Sequence, residues 1–450
     1  MTTNILNLPQ YQILATEEDE HDYHIYVEVA KKPVQCPYCH SDRLVGFGKR
    51  EKLIKDHPMH GKRVGIYINT RRMKCQACSK TFSEELPSID ANRAMTIRLK
   101  KWVGEQSIQR TFSSIATEVG ITEGTVRNVF QDYISQLEEN IRFDTPQWMG
   151  IDEIHIIKKP RCIISNIEHN TAVEVLLDRT KKTVLNYLQR LDGRDKVKYV
   201  AMDMWRPYKD AVQMMMPEAR IVVDKFHVVR MANEAMEKIR KEHRASLEPK
   251  LRRGLMHDRF VLLKRRHDLT DKEALTLSGW CANYPQLGAA YDTKEAFYGI
   301  WDLDTRDEAE SAYEIWKTGL LPEIRPAYGP LIKAVDNWHE HIFNYFDHPI
   351  TNAYTESLNN LIRVMNRLGR GYSFEALRAK ILFTQGAHKK SRPAFKRKAQ
   401  KRSRHTDSTD FFTSAAFSDG FLSTESFEPQ KNYGSEISTL VELFESERLD

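Results

Sequence analysis

Four cysteines and a set of acidic residues are the side chains in this sequence whose types and spacing could do chemistry. The cysteines form two C-x2-C pairs, Cys36 with Cys39 and Cys75 with Cys78, which 35 residues separate. Two such pairs can place four thiolates around one ion, which is the tetrahedral ligand set of structural zinc. The spacing therefore predicts a zinc ribbon over residues 30–90, with a redox-active pair or chance spacing as the alternative.

The acidic residues interrupt or follow apolar, strand-like runs. Asp152 lies inside the run 148–157, and Asp203 follows the run 197–202. A charged residue in a buried strand is costly unless it is paired or binds a metal ion. The runs predict three antiparallel strands, then helix, strand, helix and strand, which is the order of the ribonuclease H fold. In that fold, acids on the first and fourth strands lie side by side.

A third acid is expected from a helix. The helix-like stretch 355–368 offers Glu356 in its first turn, and Glu340 and Glu375 are rival candidates. Three clustered carboxylates repel one another unless cations lie between them. Two Mg²⁺ or Mn²⁺ ions, which prefer oxygen ligands, would make the cluster a clamp for in-line displacement at phosphorus. Surface acids at strand ends are the other interpretation.

A helix-turn-helix domain is predicted over residues 93–143. Gly120 stands where a turn between two short helices needs a left-handed residue, and Thr122 can cap the second helix. Ser113 or Ser114 can cap the first. In such a domain the second helix enters the DNA major groove, although an ordinary helical hairpin would give the same pattern. The expected DNA contacts on the second helix are Thr122, Thr125, Arg127 and Asn128.

Basic residues are concentrated near the cysteines. Residues 31–110 hold 18 Lys and Arg against 7 Asp and Glu, whereas the net charge of the 450-residue chain is only +6. Such a surplus suggests a polyanionic partner such as double-stranded DNA, with a solvated basic face as the alternative. The ribbon's expected phosphate contacts are Arg71, Arg72 and Lys74. Phe47 is among the aromatic residues expected in the ribbon's small core.

The amino-acid composition limits the class of protein and its cellular location. With 41% hydrophobic and 29% charged residues, the chain is unlike disordered or fibrous proteins. The sequence contains neither a membrane-spanning run nor a signal-peptide pattern, so we expect a cytoplasmic, nucleoid-associated protein with reduced thiols and no membrane partner. Residues 389–450 begin with a basic run and become acidic, which predicts a flexible tail.

Several of these motifs together resemble the bacterial insertion-sequence transposases of the ISL3 family. The matching stretches, in chain order, are Cys36–Cys39 with Cys75–Cys78, Gly150–Glu153, Asp203–Tyr208, Asp224–Val228, Thr351–Asn360 and Gly371–Tyr372. The resemblance implies an α/β, ribonuclease H-like DDE catalytic domain over residues 146–388. A helical insertion is expected at about residues 231–335, and the ribbon and helix-turn-helix precede this domain.

The resemblance also implies roles for individual residues. The ligands of two Mg²⁺ or Mn²⁺ ions would be Asp152, Asp203 and Glu356, and Asp152 would bridge the ions. Asp224 and His227 would support the site or position DNA. Alternatively, Asp224 caps the following helix and His227 packs against it.

The implied activity is DNA transposition. Such an enzyme binds the terminal inverted repeats of its element, cleaves the DNA ends and joins them to target DNA by metal-dependent transesterification. It would act as a dimer or larger assembly on DNA. An inactive transposase-derived regulator and a different ribonuclease H-like nuclease are the alternatives.

Overall fold

The computed structural model describes residues 6–140 and 145–386, so the predicted tail at 389–450 lies outside the described residues. The strands of the described chain are β1 (Tyr11–Glu18), β2 (Asp22–Val29), β3 (Leu44–Met59), β4 (Lys62–Cys75), β5 (Thr81–Ser83), β6 (Trp148–Ile156), β7 (Lys159–Asn166), β8 (Thr171–Val175), β9 (Tyr199–Met202) and β10 (Arg220–Val223). Its α-helices are α1 (Ile97–Gln109), α2 (Phe112–Val119), α3 (Glu123–Asn140), α4 (Lys181–Arg190), α5 (Arg206–Met215), α6 (Lys225–Ser246), α7 (Pro249–His257), α8 (Arg259–Leu263), α9 (Asp271–Asn283), α10 (Pro285–Ile300), α11 (Arg306–Thr318), α12 (Arg325–Asp347), α13 (Ala353–Gly369) and α14 (Phe374–Gln385). None of these helices is both long and apolar enough to cross a membrane.

The chain divides into two compact units. Within the described residues, the first unit comprises 6–140, 145–198, 210–218 and 354–386, and the second comprises 199–209 and 219–353. The first unit therefore contains the predicted ribbon and helix-turn-helix together with the strands β6 to β8.

The N-terminal sheet of the first unit is larger than the predicted ribbon. Its strand order is β1-β2-β4-β3, and β5 pairs with β4. Strands β3 and β4 form a long antiparallel hairpin, while β2 adds to β4 in parallel. Alternating residues of β4 fill the core of this sheet, and Val64, Ile66 and Ile68 are buried. The sheet thus begins at β1, well before residue 30.

Helices α1 to α3 form the predicted helix-turn-helix. Gly120 has φ +72°, and the Thr122 hydroxyl accepts the cap hydrogen bond of α3, so both predictions are confirmed. The prediction that Ser113 or Ser114 caps α2 is wrong. Thr111 precedes the helix in an extended conformation, and its hydroxyl accepts a hydrogen bond from the Ser114 N–H at 3.3 Å.

One hydrophobic core joins the helix-turn-helix to the strands that follow it. Leu99 of α1 and Val126 of α3 belong to the same buried cluster as Ile163 of β7 and Leu377 of α14. Burial of shared apolar surface is the main favourable term in folding, so these elements fold as one body. The helices of the predicted helix-turn-helix are therefore packed into the first unit.

Lys380 of α14 lies in that core and is only 2% exposed. Its ammonium group donates hydrogen bonds to the carbonyl oxygens of Ser107 and Arg110, at and just beyond the end of α1. The same nitrogen lies 4.8 Å from the ring centroid of Phe112 and 4.9 Å from that of Tyr372. Burial lowers the pKa of Lys380 to about 7.

The predicted order of three antiparallel strands followed by helix, strand, helix and strand is confirmed. Strands β6, β7 and β8 pair antiparallel in the first unit, and Asp152 pairs with Ile163. Helix α4, strand β9, helix α5 and strand β10 follow. Strands β9 and β10 pair in parallel in the second unit.

Helices α6 to α12 fill the rest of the second unit and run from Lys225 to Asp347. The Asn344 side chain of α12 donates from Nδ2 to the Ile221 carbonyl of β10 at 2.8 Å. The Tyr298 hydroxyl of α10 donates to Asn233 of α6 at 2.5 Å. These buried hydrogen bonds fix the helices against one another and against β10.

Candidate active site and DNA-binding surface

Asp152 lies in the middle of β6 and is 6% exposed. Its Oδ2 accepts a hydrogen bond from Nδ2 of Asn359 at 2.8 Å, and its Oδ1 accepts one from the Glu153 N–H at 2.7 Å. Hydrogen bonds from neutral donors offset part of the cost of burying a carboxylate and leave its negative charge intact. The carboxyl group of Asp152 is therefore held in a fixed orientation inside an apolar strand.

Helix α13 lies along the strands that carry Asp152. The hydroxyls of Thr355 and Ser165 are 2.6 Å apart, and Ser165 pairs with Gly150, two residues before Asp152. Two residues along a strand span ~6.6 Å, and the four residues from Thr355 to Asn359 span ~6 Å of helix. The matched spacing lets both side-chain contacts form together, so α13 is anchored at two points.

Glu356 is in the first turn of α13, as predicted, and is half-buried. It follows the Thr355 anchor directly and precedes Asn359 by one helical turn, the spacing of neighbours on a helix surface. Two of the predicted ligands, Asp152 and Glu356, thus lie on elements that contact each other. Asn359 is a functional candidate that the sequence analysis did not single out, although its i+3 spacing from Glu356 was visible.

Asp203 and Asp224 follow the paired strands β9 and β10. Met202 and Val223 are register partners, and the Asp224 N–H donates to the Met202 carbonyl at 3.0 Å. Because parallel strands end at the same edge of a sheet, the two acids leave this edge together. Asp203 is half-buried, and Asp224 is 1% exposed.

Asp224 caps helix α6, as the second of the two interpretations expects. Its carboxylate accepts a hydrogen bond from the Phe226 N–H at 3.1 Å and another from the Asn352 N–H at 3.2 Å. Burial raises the pKa of Asp224, although His227 and the two amides act in the opposite direction. The His227 ring lies edge-on to Phe226 at 5.5 Å. Asp224 therefore joins the start of α6 to the chain entering α13.

The four predicted zinc ligands come together. The Sγ atoms of Cys36 and Cys78 are 3.7 Å apart, and those of Cys39 and Cys75 are 3.6 Å apart. Tetrahedral coordination at a Zn–S distance of ~2.3 Å implies S···S separations of ~3.8 Å, whereas a disulfide bond is only ~2.05 Å long. Four cysteine sulfurs at this spacing fit a structural zinc ion.

The pKa values of two of these thiols are shifted in opposite directions. Backbone N–H groups of Cys78 and Ala77 lower the pKa of Cys75 to about 7. The Ser41 amide favours the Cys39 thiolate, but the neighbouring sulfurs outweigh it and raise the pKa of Cys39 to about 12. Four thiolates at this separation need a divalent cation to ionise together.

The prediction that Arg71 contacts DNA phosphates is wrong. Arg71 is 8% exposed, and its guanidinium group bonds to Glu84 at 3.2 Å and to the Val29 carbonyl at 3.0 Å. Arg72 and Lys74 are exposed. Alternate residues of a strand point to opposite faces, so Arg72 and Lys74 share one face of β4, where both are exposed, and Arg71 lies on the other, where it is buried.

The expectation that Phe47 belongs to the ribbon core is also wrong, because Phe47 is 51% exposed. Its ring contacts both of these exposed cations, with the guanidinium carbon of Arg72 5.5 Å and the Lys74 ammonium 6.0 Å from the ring centroid. The ribbon thus presents an aromatic ring among basic side chains.

The exposed side of α3 carries the other predicted DNA contacts. Asn128 is exposed, and Arg127 is half-exposed beside Glu123 at 2.6 Å. The hydroxyls of Thr122 and Thr125 are 2.9 Å apart at the start of the helix. Of these four predicted contacts, Arg127 and Asn128 have the longer polar side chains.

Comparison with models of known protein families shows the family to which the chain belongs. A family model of the ISL3 transposases, described as "Transposase", matches residues 149–381, just over half of the 450 residues. The chain belongs to the ISL3 family of transposases. Residues 32–78 of this transposase match the zinc-finger of transposase IS204/IS1001/IS1096/IS1165, and residues 84–134 match the helix-turn-helix domain of transposase family ISL3. Three modules that the sequence predicted thus match family models in the same order.

Two curated relatives are similar to this transposase. The transposase for insertion sequence element IS1001 of Bordetella parapertussis is 22% identical over 361 residues, which cover 77% of this chain and 87% of the relative. The transposase for insertion sequence element IS1557 of Mycobacterium tuberculosis is 25% identical over 280 residues, which cover 56% of this chain and 63% of the relative.

Proposed function

We propose that this transposase binds the terminal inverted repeats of its insertion sequence, cleaves the DNA ends and joins the released 3′-hydroxyls to target DNA. The observation that carries the proposal is the hydrogen bond between Asn359 and Asp152. It orients one acid beside the helix that carries another, Glu356. Family membership over residues 149–381 supports the same reaction class.

Asp152, Asp203 and Glu356 would hold two divalent ions in a ribonuclease H-like core. Carboxylate oxygens are the donors that Mg²⁺ and Mn²⁺ prefer, so these three side chains suit such ions. Bound ions of this kind activate an attacking oxygen and stabilise the leaving oxygen at phosphorus. The protein's contribution is to hold the three carboxylates on β6, at the end of β9 and on α13.

The proposed reaction consists of two displacement steps at phosphorus, and neither step changes an oxidation state. In the first, a water oxygen forms a bond to phosphorus and the bond to the 3′-oxygen breaks, which leaves a 3′-hydroxyl and a 5′-phosphate. In the second, that 3′-hydroxyl attacks a target phosphodiester and releases a target 3′-hydroxyl. Neither step requires a covalent bond between protein and DNA, so no nucleophilic side chain is assigned.

DNA recognition is assigned to the first unit. The exposed side chains of α3, Arg127 and Asn128 above all, would contact base edges in the major groove. Arg72 and Lys74 of the ribbon would bind phosphates, which position the DNA but do not read its sequence. A zinc ion held by the four cysteines would keep the ribbon folded.

Asp224 is assigned a positioning role. It caps α6 and accepts the Asn352 N–H just before α13 begins, so it would hold the segment that leads to Glu356. Synapsis of two element ends would require two or more copies of the chain, which we include in the proposal.

The proposal is tested with purified transposase and a DNA duplex that carries the inverted repeats flanking its gene. We expect nicking at the element end in Mg²⁺ and none in chelator, followed by joining of that end to a supercoiled plasmid. Binding without nicking would favour the inactive regulator. Nicking without joining would favour a different ribonuclease H-like nuclease.

A further inference from the structure

The Phe47 side chain is exposed on the surface of its sheet and is not buried in the core. A β-bulge lies at this point of the hairpin, because Gly46 pairs with Met73 while Lys49 pairs with Arg71. Three steps along β3 are thus opposed by two steps along β4. A bulge bends its strand and re-aims a side chain, and bulges are common beside functional sites. The register shift of this bulge spans Phe47.

The two glycines beside Phe47 face open space. A Cβ added to Gly46 or to Gly48 would meet nothing within 4 Å. The positive φ of Gly48, +104°, favours glycine at that position. Gly46 has no such backbone requirement, and the protein's own packing does not exclude a side chain there. The bare backbone leaves the ring accessible to a flat ligand.

The cations beside Phe47 define the chemistry of that ligand. Arg72 and Lys74 lie within 6.0 Å of the ring centroid and are themselves exposed. Exposed aromatic rings in a basic surface are typical of proteins that bind single-stranded nucleic acid, because bases stack on the ring and cations contact the phosphates. A base inside an intact duplex is stacked on its neighbours and has no face to offer.

We propose that Phe47 is a stacking platform for an unpaired base of DNA, with Arg72 and Lys74 contacting the adjoining phosphates. The inference rests on the proposed function, since DNA is the assumed substrate. It adds that the bound part of that DNA is single-stranded, as at a frayed end or in an opened duplex. Stacking tolerates any base, so the platform adds affinity for unpaired DNA without adding sequence preference.

The test uses the full-length, zinc-loaded protein and two probes. One probe is an oligothymidylate longer than the ~4–16 nucleotides that such a site covers, with one 2-aminopurine near its centre. The other is a fully paired duplex. We expect Phe47→Ala to weaken binding of the single strand by roughly 5- to 150-fold and to abolish quenching of the 2-aminopurine. Affinity for the duplex should stay within about twofold, because only an unpaired base can stack on the ring.

Two further variants distinguish stacking from loss of folding. Phe47→Trp preserves a stacking ring and should retain single-strand binding. Leu53, also on β3, is another apolar residue with a side chain at the surface, and it is 43% exposed. Leu53→Ala should leave the affinities for both probes unchanged. Zinc content and thermal stability of each variant report whether the ribbon is intact.

Equal losses on both probes, or no loss on the single strand, would overturn the platform. Failure of the wild-type protein to nick the flanking repeats would contradict the proposed function instead. In that case a selective loss of single-strand binding by Phe47→Ala would still support the platform. The two inferences can therefore fail separately.

Discussion

Asn359 donates a hydrogen bond from Nδ2 to Oδ2 of Asp152 at 2.8 Å, and this contact joins α13 to the centre of β6. Both residues are buried, with exposures of 3% and 6%. The neutral amide fixes the carboxylate without cancelling its charge, whereas a lysine or arginine in its place would compete with a metal ion. The contact therefore links the fold of the first unit to its proposed chemistry.

Replacing Asn359 should impair cleavage while leaving DNA binding intact. Removal of a residue that orients a metal ligand typically costs about 10–100-fold in metal affinity or activity. We expect Asn359→Ala to slow Mg²⁺-dependent nicking by that factor and to raise the Mg²⁺ concentration required. The exposed neighbour provides the control, since Asn360→Ala should cleave normally. Normal cleavage by Asn359→Ala at low Mg²⁺ would show that Asp152 needs no such support.

Replacing Arg71 should reduce stability, whereas replacing the adjacent Arg72 should weaken DNA binding. Arg71→Ala leaves the buried Glu84 without its ion-pair partner, and breaking a buried pair costs about 3–5 kcal/mol of unfolding free energy. Arg72→Ala should change stability by less than about 0.5 kcal/mol and reduce the slope of log K against log salt by about 0.9. Denaturant unfolding and salt-dependent DNA binding measure the two effects. A reversed pattern would mean that the faces of β4 are misassigned.

Zinc removal should unfold the ribbon. Structural zinc supplies folding free energy, so Cys36→Ser should lose the metal and expose residues 36–78 to protease. Cys281 lies outside the ribbon, and Cys281→Ser should keep its full zinc content. Metal analysis and limited proteolysis are the measurements. A metal-free ribbon as resistant as the wild type would contradict the structural role.

Lys380 should make the stability of the first unit pH-dependent. Burial lowers its pKa to about 7 in the folded state, against ~10.4 when unfolded. Between these values the unfolded chain binds a proton that the folded chain does not, so the free energy of unfolding rises with pH. Below about pH 7 both states are protonated and this contribution is lost.

Comparison with Lys380→Met isolates that contribution. The unfolding free energy of the wild type should increase relative to that of this variant as pH rises from about 7 to 9. Lys101→Met, an exposed substitution on α1, should run parallel to wild type. A difference between wild type and Lys380→Met that does not vary with pH would show that Lys380 stays protonated throughout this range.

Local patterns carried the correct sequence predictions. The C-x2-C pairs, the left-handed Gly120 and the apolar runs each depend on a few neighbouring residues, and the structure confirms the elements they predicted. The sequence analysis also placed Glu356 in the first turn of its helix. Such features need no knowledge of distant contacts.

The errors arose where distant contacts decide the outcome. The parallel pairing of β2 with β4 joins segments about 40 residues apart, and no local pattern specifies it. Period-2 alternation could have shown that Arg71 and Arg72 lie on opposite faces of β4, but not which of them is buried. The bulge at Phe47 can be recognised only from the register of the hairpin. Asn359 acquires its role only from the docking of α13 on β6.

The central claim is that three acids distant in sequence act as one metal site, and it is tested most directly by the rate of end cleavage in single variants. Asp152→Asn, Asp203→Asn and Glu356→Gln should each bind the element end as tightly as wild type and cleave it too slowly to detect. Asp195→Asn, which changes an exposed acid shortly before β9, should cleave at the wild-type rate. Wild-type cleavage by any of the three site variants would contradict the assignment.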